Sequence, residues 1–461
     1  MFLFEGAEQG DVVSKNIKRL FKPQNILRLG EGVNMAGKVA VVGGGLFRPD
    51  IWHGENAEEG VAIAYKDLLK SVPNLTPDDI DALMMSYFSD HLNGQLCMGW
   101  IIQDYLGLHN KPGYRVESGG CTPMDAIVNA FYLIKSGYYD VILISGWEWM
   151  CEVDVATTNE MIASASDTDW DFPVGGYYNA YYAALEVRHM QLYGETCEDL
   201  GRIAVKNHNN ATHNPYSQWV SLHGTGKITM DDYWKSRLVC WPYRVLNNAM
   251  MSEGAACLLM ASEKAAKKFT DTPMWITGVG LGTDSMRPGD RTADFVYENF
   301  KEEAKIYPDF VEPIKTPYPD MANFASLNIA AKRAYKQAGI TSPLKELDVA
   351  ELFAPYDGVE LTLYEDLGFC SRGEGKTLIR EGTVEFDGEL PVTLSGGLTS
   401  QGHPVGATSL YQTLFLYYEL AGKMKEKYGS DALQVPDAKK ALLTGHGGTG
   451  CQGGVILFEG D

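Results

Sequence analysis

Two glycine-rich loops of this chain carry residues that could act together as a nucleophile and its base. Cys121 lies in "ESGGCTP" (residues 117–123), and His403 lies in "SGGLTSQGHPVGAT" (residues 395–408). A cysteine at a helix start faces the helix dipole and unpaired backbone N–H groups, which lower a free thiol pKa of about 8.5 toward neutrality. A histidine held between a glycine and a proline has the fixed orientation that a general base requires. The sequence therefore predicts nucleophilic catalysis by Cys121, with His403 as its base.

A third glycine cluster, "TGHGGTGC", could supply backbone N–H donors to an oxyanion. We predict that the amides of Gly397 and Gly448 belong to these donor loops. The alternatives are structural ones. Cys121 is then a small buried residue at a tight turn, and the histidines of these loops are capping or packing residues.

The elements around these loops follow from the hydrophobic pattern. Short apolar runs alternate with stretches of helical periodicity, which favours an α/β fold. In each half of the chain a strand enters a glycine-rich turn, a reactive residue follows, and a long helix starts there. This doubling indicates a gene duplication. The glycine triplet at residues 43–45 lacks the spacing of a dinucleotide-binding fingerprint.

Composition divides the chain into four parts. Residues 1–36 form an N-terminal extension, residues 37–149 and 236–272 form the first half of the fold, and residues 273–461 form the second half. Residues 150–235 are polar and rich in Tyr, Asn and Trp. We expect an inserted loop lobe there, with two short helices at most.

Bulk composition argues against several classes of function. The net charge of −21 is unfavourable for binding nucleic acid, which needs a basic face. No run approaches 18 apolar residues, so no membrane span is expected. The eight cysteines are scattered without a CxxC pair, which favours free thiols in a reducing cytoplasm over disulfides or a metal site. We expect a cytoplasmic protein without a bound metal.

Four segments resemble the thiolase superfamily, and in particular its sterol-carrier-protein-2 (SCP2) type. The most specific is "SGGLTSQGHPVGATSLYQ", which is similar to the family's segment around the motif GHP-x-GAT. The others are "AVKNHNNATHNPYSQW" (204–219), "MMSEGAACLLMASEKA" (250–265) and "LYEDLGFCSRGEG" (363–375). The resemblance covers residues 38–460 and implies a duplicated five-layer α-β-α-β-α thiolase fold.

The resemblance also implies an activity. Acyl-CoA and CoA would be the substrates, without a further cofactor, and the protein would be a homodimer. In thiolases the GHP histidine, here His403, takes the proton of the nucleophilic cysteine. The thiolate then attacks a β-ketoacyl-CoA, the C–C bond breaks, and CoA carries off the acyl group. The reverse reaction is a Claisen condensation, and the sequence does not separate the two directions.

Two departures from the family pattern fall at the centre of this site. The family box with an oxyanion-hole histidine is "FAPY" here, so Phe353 replaces the imidazole and makes the substrate pocket less polar. Tyr356 and His446 are the candidate replacement donors. Aligned without gaps, Gly120 rather than Cys121 stands opposite the family's nucleophile, whereas a compensating one-residue shift in the loop would restore the match to Cys121. These departures motivate an alternative, a non-catalytic acyl-CoA-binding subunit of a hetero-oligomeric complex.

Relatives with such departures include bacterial thiolase-like proteins that work with a small partner subunit carrying a zinc ribbon and an OB domain. Among them is the benzoylsuccinyl-CoA thiolase of anaerobic toluene breakdown. The 25 Tyr, 17 Phe and 9 Trp residues are compatible with a bulky or aromatic acyl group such as benzoylsuccinyl. Arg202, Lys206 and His208 are candidates for contacts with the CoA phosphates.

Overall fold

The computed structural model describes residues 37–51, 54–291 and 321–461. The predicted extension at residues 1–36 therefore lies outside the described residues. The strands are β1 (Val39–Asp50), β2 (Ala82–Ser86), β3 (Gly113–Val116), β4 (Val141–Trp149), β5 (Leu238–Cys240), β6 (Tyr243–Arg244), β7 (Glu253–Ser262), β8 (Met274–Thr283), β9 (Val349–Glu351), β10 (Lys440–Gly447) and β11 (Gln452–Glu459).

The α-helices alternate with these strands along most of the chain. They are α1 (Ala57–Ser71), α2 (Asp90–Asn93), α3 (Met98–Tyr105), α4 (Thr122–Lys135), α5 (Val155–Ala163), α6 (Tyr178–Tyr193), α7 (Cys197–Ala211), α8 (Gln218–His223), α9 (Met230–Lys235), α10 (Glu263–Phe269), α11 (Ala325–Ala338), α12 (Pro343–Glu346), α13 (Asp357–Asp366), α14 (Gly375–Arg380), α15 (Gly397–Ser400), α16 (Thr408–Leu420) and α17 (Met424–Tyr428).

Nine strands form one mixed sheet in the order β3-β2-β4-β7-β1-β8-β11-β10-β9, and β5 pairs with β6 separately. The first half of the fold contributes the strands from β3 to β1, and the second half contributes those from β8 to β9. The halves join where Ala40 of β1 pairs with Trp275 of β8 in antiparallel register. Because β-strand side chains alternate between faces, Val41 enters the central core and Ala40 an outer one.

The central core lies between the two halves. Helices α4 and α16 supply much of it and contact strands of both halves. Helix α1 covers the outer face of the first half, and α11 and α13 cover the outer side of the second. These layers are α-β-α-β-α, so the predicted duplicated fold is confirmed. The proposed domain boundaries remain a prediction.

The glycine triplet at residues 43–45 lies inside β1 and serves helix packing. A Cβ atom on Gly45 would collide with the backbone of Ala64 and Leu68 in α1. Glycine therefore lets the helix approach the strand closely, in accord with the absence of a nucleotide fingerprint.

Two local expectations were wrong. The segment predicted to be a sparse loop lobe contains five helices, α5 to α9. Their periodicity is hidden because buried positions of α7 carry polar residues such as Lys206 and Asn207. The long helix expected to begin at His403 begins at Thr408 instead. A residue that precedes proline is disfavoured in the α conformation, and His403 precedes Pro404. No helix in the described part of the chain has the length and apolar character to cross a membrane.

Candidate functional site

A cavity of about 420 Å³ lies where the three glycine-rich loops meet the inserted lobe. Its lining is predominantly apolar. Four of the residues singled out in the sequence line it together, namely His403, His446, Phe353 and Tyr356. Gly120 lines the cavity as well, whereas Cys121, Gly397 and Gly448 are not among its lining residues.

Cys121 directly precedes α4 and is fully buried in the central core. Its Sγ lies 3.8 Å from Oδ1 of Asp125, one helical turn further on. Burial and then the neighbouring Asp125 carboxylate raise the pKa of the Cys121 thiol well above its usual range. This shift is opposite to the expected one, because the loss of solvation outweighs the attraction of the helix start for the thiolate.

Gly120, which stands opposite the family's nucleophile in the ungapped alignment, lines the cavity. A Cβ atom there would lie 2.6 Å from the carbonyl oxygen of His446 and 3.0 Å from Cζ of Phe353. A Cβ on Gly447 would likewise collide with the carbonyl oxygen of Ser118. The first and third glycine-rich loops thus pack backbone against backbone, and this packing leaves little room for a side chain at position 120.

His403 is held at both its backbone and its ring. Its backbone N–H donates to Oγ of Ser252 (2.8 Å), and that hydroxyl donates to the side-chain amide oxygen of Gln218 in α8. Its Nδ1 lies 2.7 Å from Oγ1 of Thr408. The imidazole stands edge-on to the Phe353 ring, with centroids 5.3 Å apart. Burial lowers the pKa of His403 to about 3, so the ring is neutral at pH 7.

His446, near the end of β10, is the second imidazole of the site. Its Nε2 lies 2.8 Å from the Tyr182 hydroxyl, and its ring stacks on Phe324 with centroids 5.3 Å apart. Its Nδ1 is buried and has no hydrogen-bond partner among the described residues. Burial, and then the positive charges that can arise on His403 and Arg291, lower the pKa of His446 to about 3.

The "FAPY" segment places two aromatic rings between these groups. Phe353 contacts both imidazoles, with its centroid 5.0 Å from that of His446. Tyr356 stacks on Tyr182, with centroids 4.7 Å apart, and its hydroxyl donates to the amide oxygen of Asn179. Because the Tyr356 hydroxyl already has this partner, His446 is the better placed of the two candidate donors.

The predicted backbone donors Gly397 and Gly448 lie near the cavity but do not line it. The N–H of Gly397 donates to Oγ of Ser395 (3.2 Å), so this amide is engaged within its own loop. Gly448 follows Gly447, which lines the cavity. Buried Arg291 fixes this loop by donating to the carbonyl oxygen of Thr449 (3.0 Å). The oxyanion roles of both glycines remain predictions.

The candidates for phosphate contacts have structural partners instead. Lys206 is buried and lies 2.8 Å from Glu360, which is also buried. His208 is buried, with Nδ1 within 2.8 Å of the Ala204 carbonyl oxygen. Arg202 is partly exposed and pairs with the exposed Glu198 within its own helix. Lys206 and His208 therefore stabilise the fold and are not available to the CoA phosphates.

Several residues of the site were not singled out in the sequence. Tyr182 and Asn179 on α6 and Ser252 contact the predicted residues, and Gln218 on α8 accepts a hydrogen bond from Ser252. The abundance of Tyr and Asn in the lobe was the available signal. The contacts of Tyr182, Asn179 and Ser252 with the predicted residues span more than 100 residues of chain, which local patterns do not encode. No cluster of three or more His, Cys, Asp or Glu side chains within the described ranges could hold a metal ion.

Comparison with known families decides the assignment. The family model described as "Thiolase, N-terminal domain" matches residues 51–264, and "Thiolase C-terminal domain-like" matches residues 315–460. The chain belongs to the thiolase superfamily. It is thus an enzyme of an acyltransferase family that acts on acyl-CoA thioesters.

Characterised thiolase relatives cover most of the chain. An acetyl-CoA acetyltransferase of Methanothermobacter thermautotrophicus is 29% identical over 382 residues, which are 83% of this chain and 89% of that protein. Sterol carrier protein 2 of Homo sapiens is 28% identical over 365 residues, which are 76% of this chain and 60% of that protein.

Solved structures show the same thiolase fold. The structure described as the Ltp2–ChsH2(DUF35) aldolase superimposes with a TM-score of 0.71 and 21% identity, covering 93% of this chain and 99% of that one. Human mitochondrial 3-ketoacyl-CoA thiolase gives a TM-score of 0.62 and 15% identity, covering 93% and 100%. At these identities the likeness concerns the fold alone.

Proposed function

We propose that this thiolase-family enzyme makes or breaks the C–C bond next to the thioester of an acyl-CoA through an enolate, without an acyl-enzyme on Cys121. The observation that supports this most is the geometry of residues 120 and 121. Gly120 faces the cavity but has no side chain, whereas Cys121 is buried beside Asp125 with a raised thiol pKa. A thiol in that state is a poor nucleophile.

Without a protein nucleophile, the partner of the enolate is a carbonyl group of the second substrate. In the cleavage direction the substrate is a β-hydroxyacyl-CoA, and neutral His403 takes the proton of its hydroxyl group. The carbonyl forms, the C–C bond breaks, and the electron pair passes to the thioester as an enolate. The His403 imidazolium then returns the proton to the α-carbon, and the carbonyl product and the shortened acyl-CoA leave.

The enolate oxygen needs a hydrogen-bond donor, and we assign this role to His446. Its ring lines the cavity, and its Nδ1 has no partner in the described part of the chain. When the Tyr182 hydroxyl donates to Nε2, the proton of the neutral imidazole resides on Nδ1. A donor of this type contributes about 2.7–4 kcal/mol to transition-state stabilisation in other enzymes.

Acyl transfer through Cys121 is the second candidate, in either the thiolytic or the Claisen direction. Family membership and the similarity to archaeal acetyl-CoA acetyltransferases favour it. It requires Cys121 to leave the core and reach the cavity. A third outcome is an acyl-CoA-binding subunit without turnover of its own.

A bulky, largely apolar acyl group with an aromatic β-substituent is our proposal for the substrate. The cavity volume and its apolar lining support this. A benzoylsuccinyl group, which carries a β-ketone and no β-hydroxyl, would suit the acyl-transfer candidate instead. We also propose that a small partner subunit with a zinc ribbon and an OB domain binds at the cavity mouth. Three exposed valines there support this, because a partner would cover their apolar surface, namely Val155, Val239 and Val245. The similarity to the Ltp2–ChsH2(DUF35) structure is compatible with such a partner.

The number of chains in the proposed homodimer and in the proposed mixed assembly can be measured directly. Native mass spectrometry of the chain, expressed alone and with a DUF35-type protein, gives the mass of each assembly. We expect Val239→Glu to weaken the mixed assembly, because it places a charge on the apolar mouth. A mixed assembly of unchanged affinity in this variant would contradict the proposed contact surface.

Propionyl-CoA is a suitable probe of the mechanism because two exchange reactions separate the candidates. Enolate formation exchanges the α-protons of propionyl-CoA for deuterium in D₂O. Formation of an acyl-cysteine exchanges isotopically labelled CoA into propionyl-CoA. We expect α-proton exchange that survives in Cys121→Ala and falls by about 10²–10⁴-fold in His403→Gln, the usual contribution of a general base.

The contrary outcomes identify the alternatives. Incorporation of labelled CoA by the wild type and its loss in Cys121→Ala would establish the acyl-cysteine route. If propionyl-CoA binds and neither exchange occurs, with or without the partner protein, the chain is a binding subunit.

A further inference from the structure

We propose that Thr408 is a positioning residue that sets the tautomer of His403, so that Nε2 presents its lone pair to the cavity. This inference deepens the proposed function, because a neutral histidine accepts a proton at one ring nitrogen alone. Which nitrogen that is depends on the hydrogen bond made by the other.

The hydrogen bonds around Thr408 determine the direction of donation. Its Oγ1 lies 3.0 Å from the carbonyl oxygen of Pro404 and 2.7 Å from Nδ1 of His403. A threonine hydroxyl has one proton and can donate one hydrogen bond. If that proton goes to the Pro404 carbonyl, which can act only as an acceptor, Nδ1 of His403 must donate its own proton to Oγ1.

The opposite arrangement makes one hydrogen bond fewer. There the Thr408 hydroxyl donates to Nδ1, and the Pro404 carbonyl keeps the N–H of Ala407 (2.9 Å) but loses the hydroxyl. The proton of His403 then resides on Nε2, which has no partner among the described residues. The arrangement with Nδ1–H makes both hydrogen bonds of the Thr408 hydroxyl, so it is favoured.

The surroundings keep this arrangement rigid. Thr408 is buried at the first position of α16, and its hydroxyl bond to residue i−4 fixes its rotamer. The backbone of His403 is fixed independently by Ser252, which in turn contacts Gln218 of the lobe. The main remaining motion of the His403 side chain is therefore rotation about its χ1 and χ2 bonds, and the hydrogen bond to Thr408 limits that rotation.

Replacing Thr408 by valine removes the hydroxyl while keeping the branched shape. We expect the neutral His403 population to shift toward the Nε2–H tautomer, and the rate of α-proton exchange of propionyl-CoA to fall by about tenfold to a hundredfold. This fall is smaller than the about 10²–10⁴-fold loss expected for removal of a general base, because a minority of molecules retains the reactive tautomer. Thr408→Ser keeps the hydroxyl and should restore both the tautomer and the rate.

Thr413→Val is the matched control. Thr413 is buried on the same helix, and its hydroxyl donates to the carbonyl oxygen of Ser409 (2.6 Å), also at i−4. It has the same type of bond without a histidine partner. The control should therefore show any general cost of removing a buried threonine hydroxyl from α16, with no change at His403.

Nitrogen NMR of the protein labelled with ¹⁵N-histidine reads the tautomer without depending on activity. His403→Gln identifies the signals of His403. A protonated Nδ1 and an unprotonated Nε2 in the wild type are expected, and the opposite pattern there overturns the inference even if Thr408→Val fails to fold. An unchanged tautomer in a folded Thr408→Val protein also overturns it. If the tautomer shifts as expected but the wild type exchanges no α-protons, the positioning role stands and the proposed function fails.

Discussion

Replacing Gly120 by alanine tests whether the position opposite the family's nucleophile can carry a side chain. The new Cβ would lie 2.6 Å from the carbonyl oxygen of His446 and 3.0 Å from Cζ of Phe353. Ordinary contacts of carbon with these atoms are well above 3 Å. The alanine therefore forces the first and third glycine-rich loops apart.

The size of the effect follows from which neighbour can move. A phenylalanine ring can shift by a few tenths of an ångström, whereas a backbone carbonyl moves only with its loop. Overpacking of a well-packed site typically costs about 1–3 kcal/mol. Because the closer contact is with backbone, we expect Gly120→Ala to lower the free energy of unfolding by about 2–3 kcal/mol. His446 moves with its carbonyl, so α-proton exchange should fall as well.

A double-mutant cycle with Phe353→Ala apportions this cost between the two contacts. Phe353→Ala alone should destabilise by about 3–5 kcal/mol, because the ring is buried. In the double variant the ring contact disappears but the carbonyl contact stays. We expect a favourable coupling of about 0.5–1 kcal/mol, well short of the full cost of the alanine.

The assay is urea unfolding, with Gly226→Ala as the matched control. A Cβ on Gly226 would meet nothing within 4 Å, and this glycine has no left-handed φ. The control thus measures the effect of a glycine-to-alanine change on the unfolded chain, which stabilises by about 0.4–1 kcal/mol at compatible sites. If Gly120→Ala is as stable and as active as this control, position 120 has room for a side chain. The argument against a nucleophile there then fails.

Two further predictions concern buried charges. Lys206→Met should lower the free energy of unfolding by about 3–5 kcal/mol, because it leaves Glu360 buried without its cation. Arg202→Met, which breaks an exposed pair, should cost less than about 1 kcal/mol. A loss of CoA affinity in Lys206→Met without a loss of stability would restore its role as a phosphate ligand. Burial alone would lower the pKa of His189, but two adjacent buried glutamates raise it to about 10. The charged His189 should therefore make the wild type more stable than His189→Gln. This advantage should be complete below a pH of about 6.5, the ordinary histidine pKa, and should disappear as the pH rises to about 10. Thermal unfolding across this range checks the prediction, and an advantage that grows with pH would refute it.

Much of the fold could be predicted because its elements carry local signals. Helix α1 is an example, because Asn56 and Glu59 form a capping box before an amphipathic stretch. The helices of the inserted lobe carry a weaker signal. In α7 the buried face includes Lys206 and Asn207, whose polar groups are satisfied by Glu360 and other distant residues. A hydrophobic pattern cannot reveal a helix whose buried face is polar.

Part of the candidate site could likewise be predicted from the sequence, and part could not. The family resemblance and the order of the loops predicted a shared site for four residues, and all four line one cavity, namely His403, His446, Phe353 and Tyr356. It did not predict the environment of Cys121. The burial of that thiol depends on how the loop before α4 packs against β10, more than 300 residues later in the chain. The pKa of a residue at a helix start is therefore not a local property.

The two departures from the family pattern are linked by packing. Phe353 stands where the family has an imidazole, and its ring lies 3.0 Å from the place of a Cβ on Gly120. The ring and the His446 carbonyl together fill the space that a nucleophile at position 120 would need. A cysteine introduced at position 120 would therefore collide with the site unless Phe353 and the loop of His446 also moved. The proposed absence of a nucleophile at position 120 and the presence of Phe353 in the box are therefore sterically compatible with each other. Under the proposed mechanism, the two neutral imidazoles of the cavity, His403 and His446, are then the reactive groups.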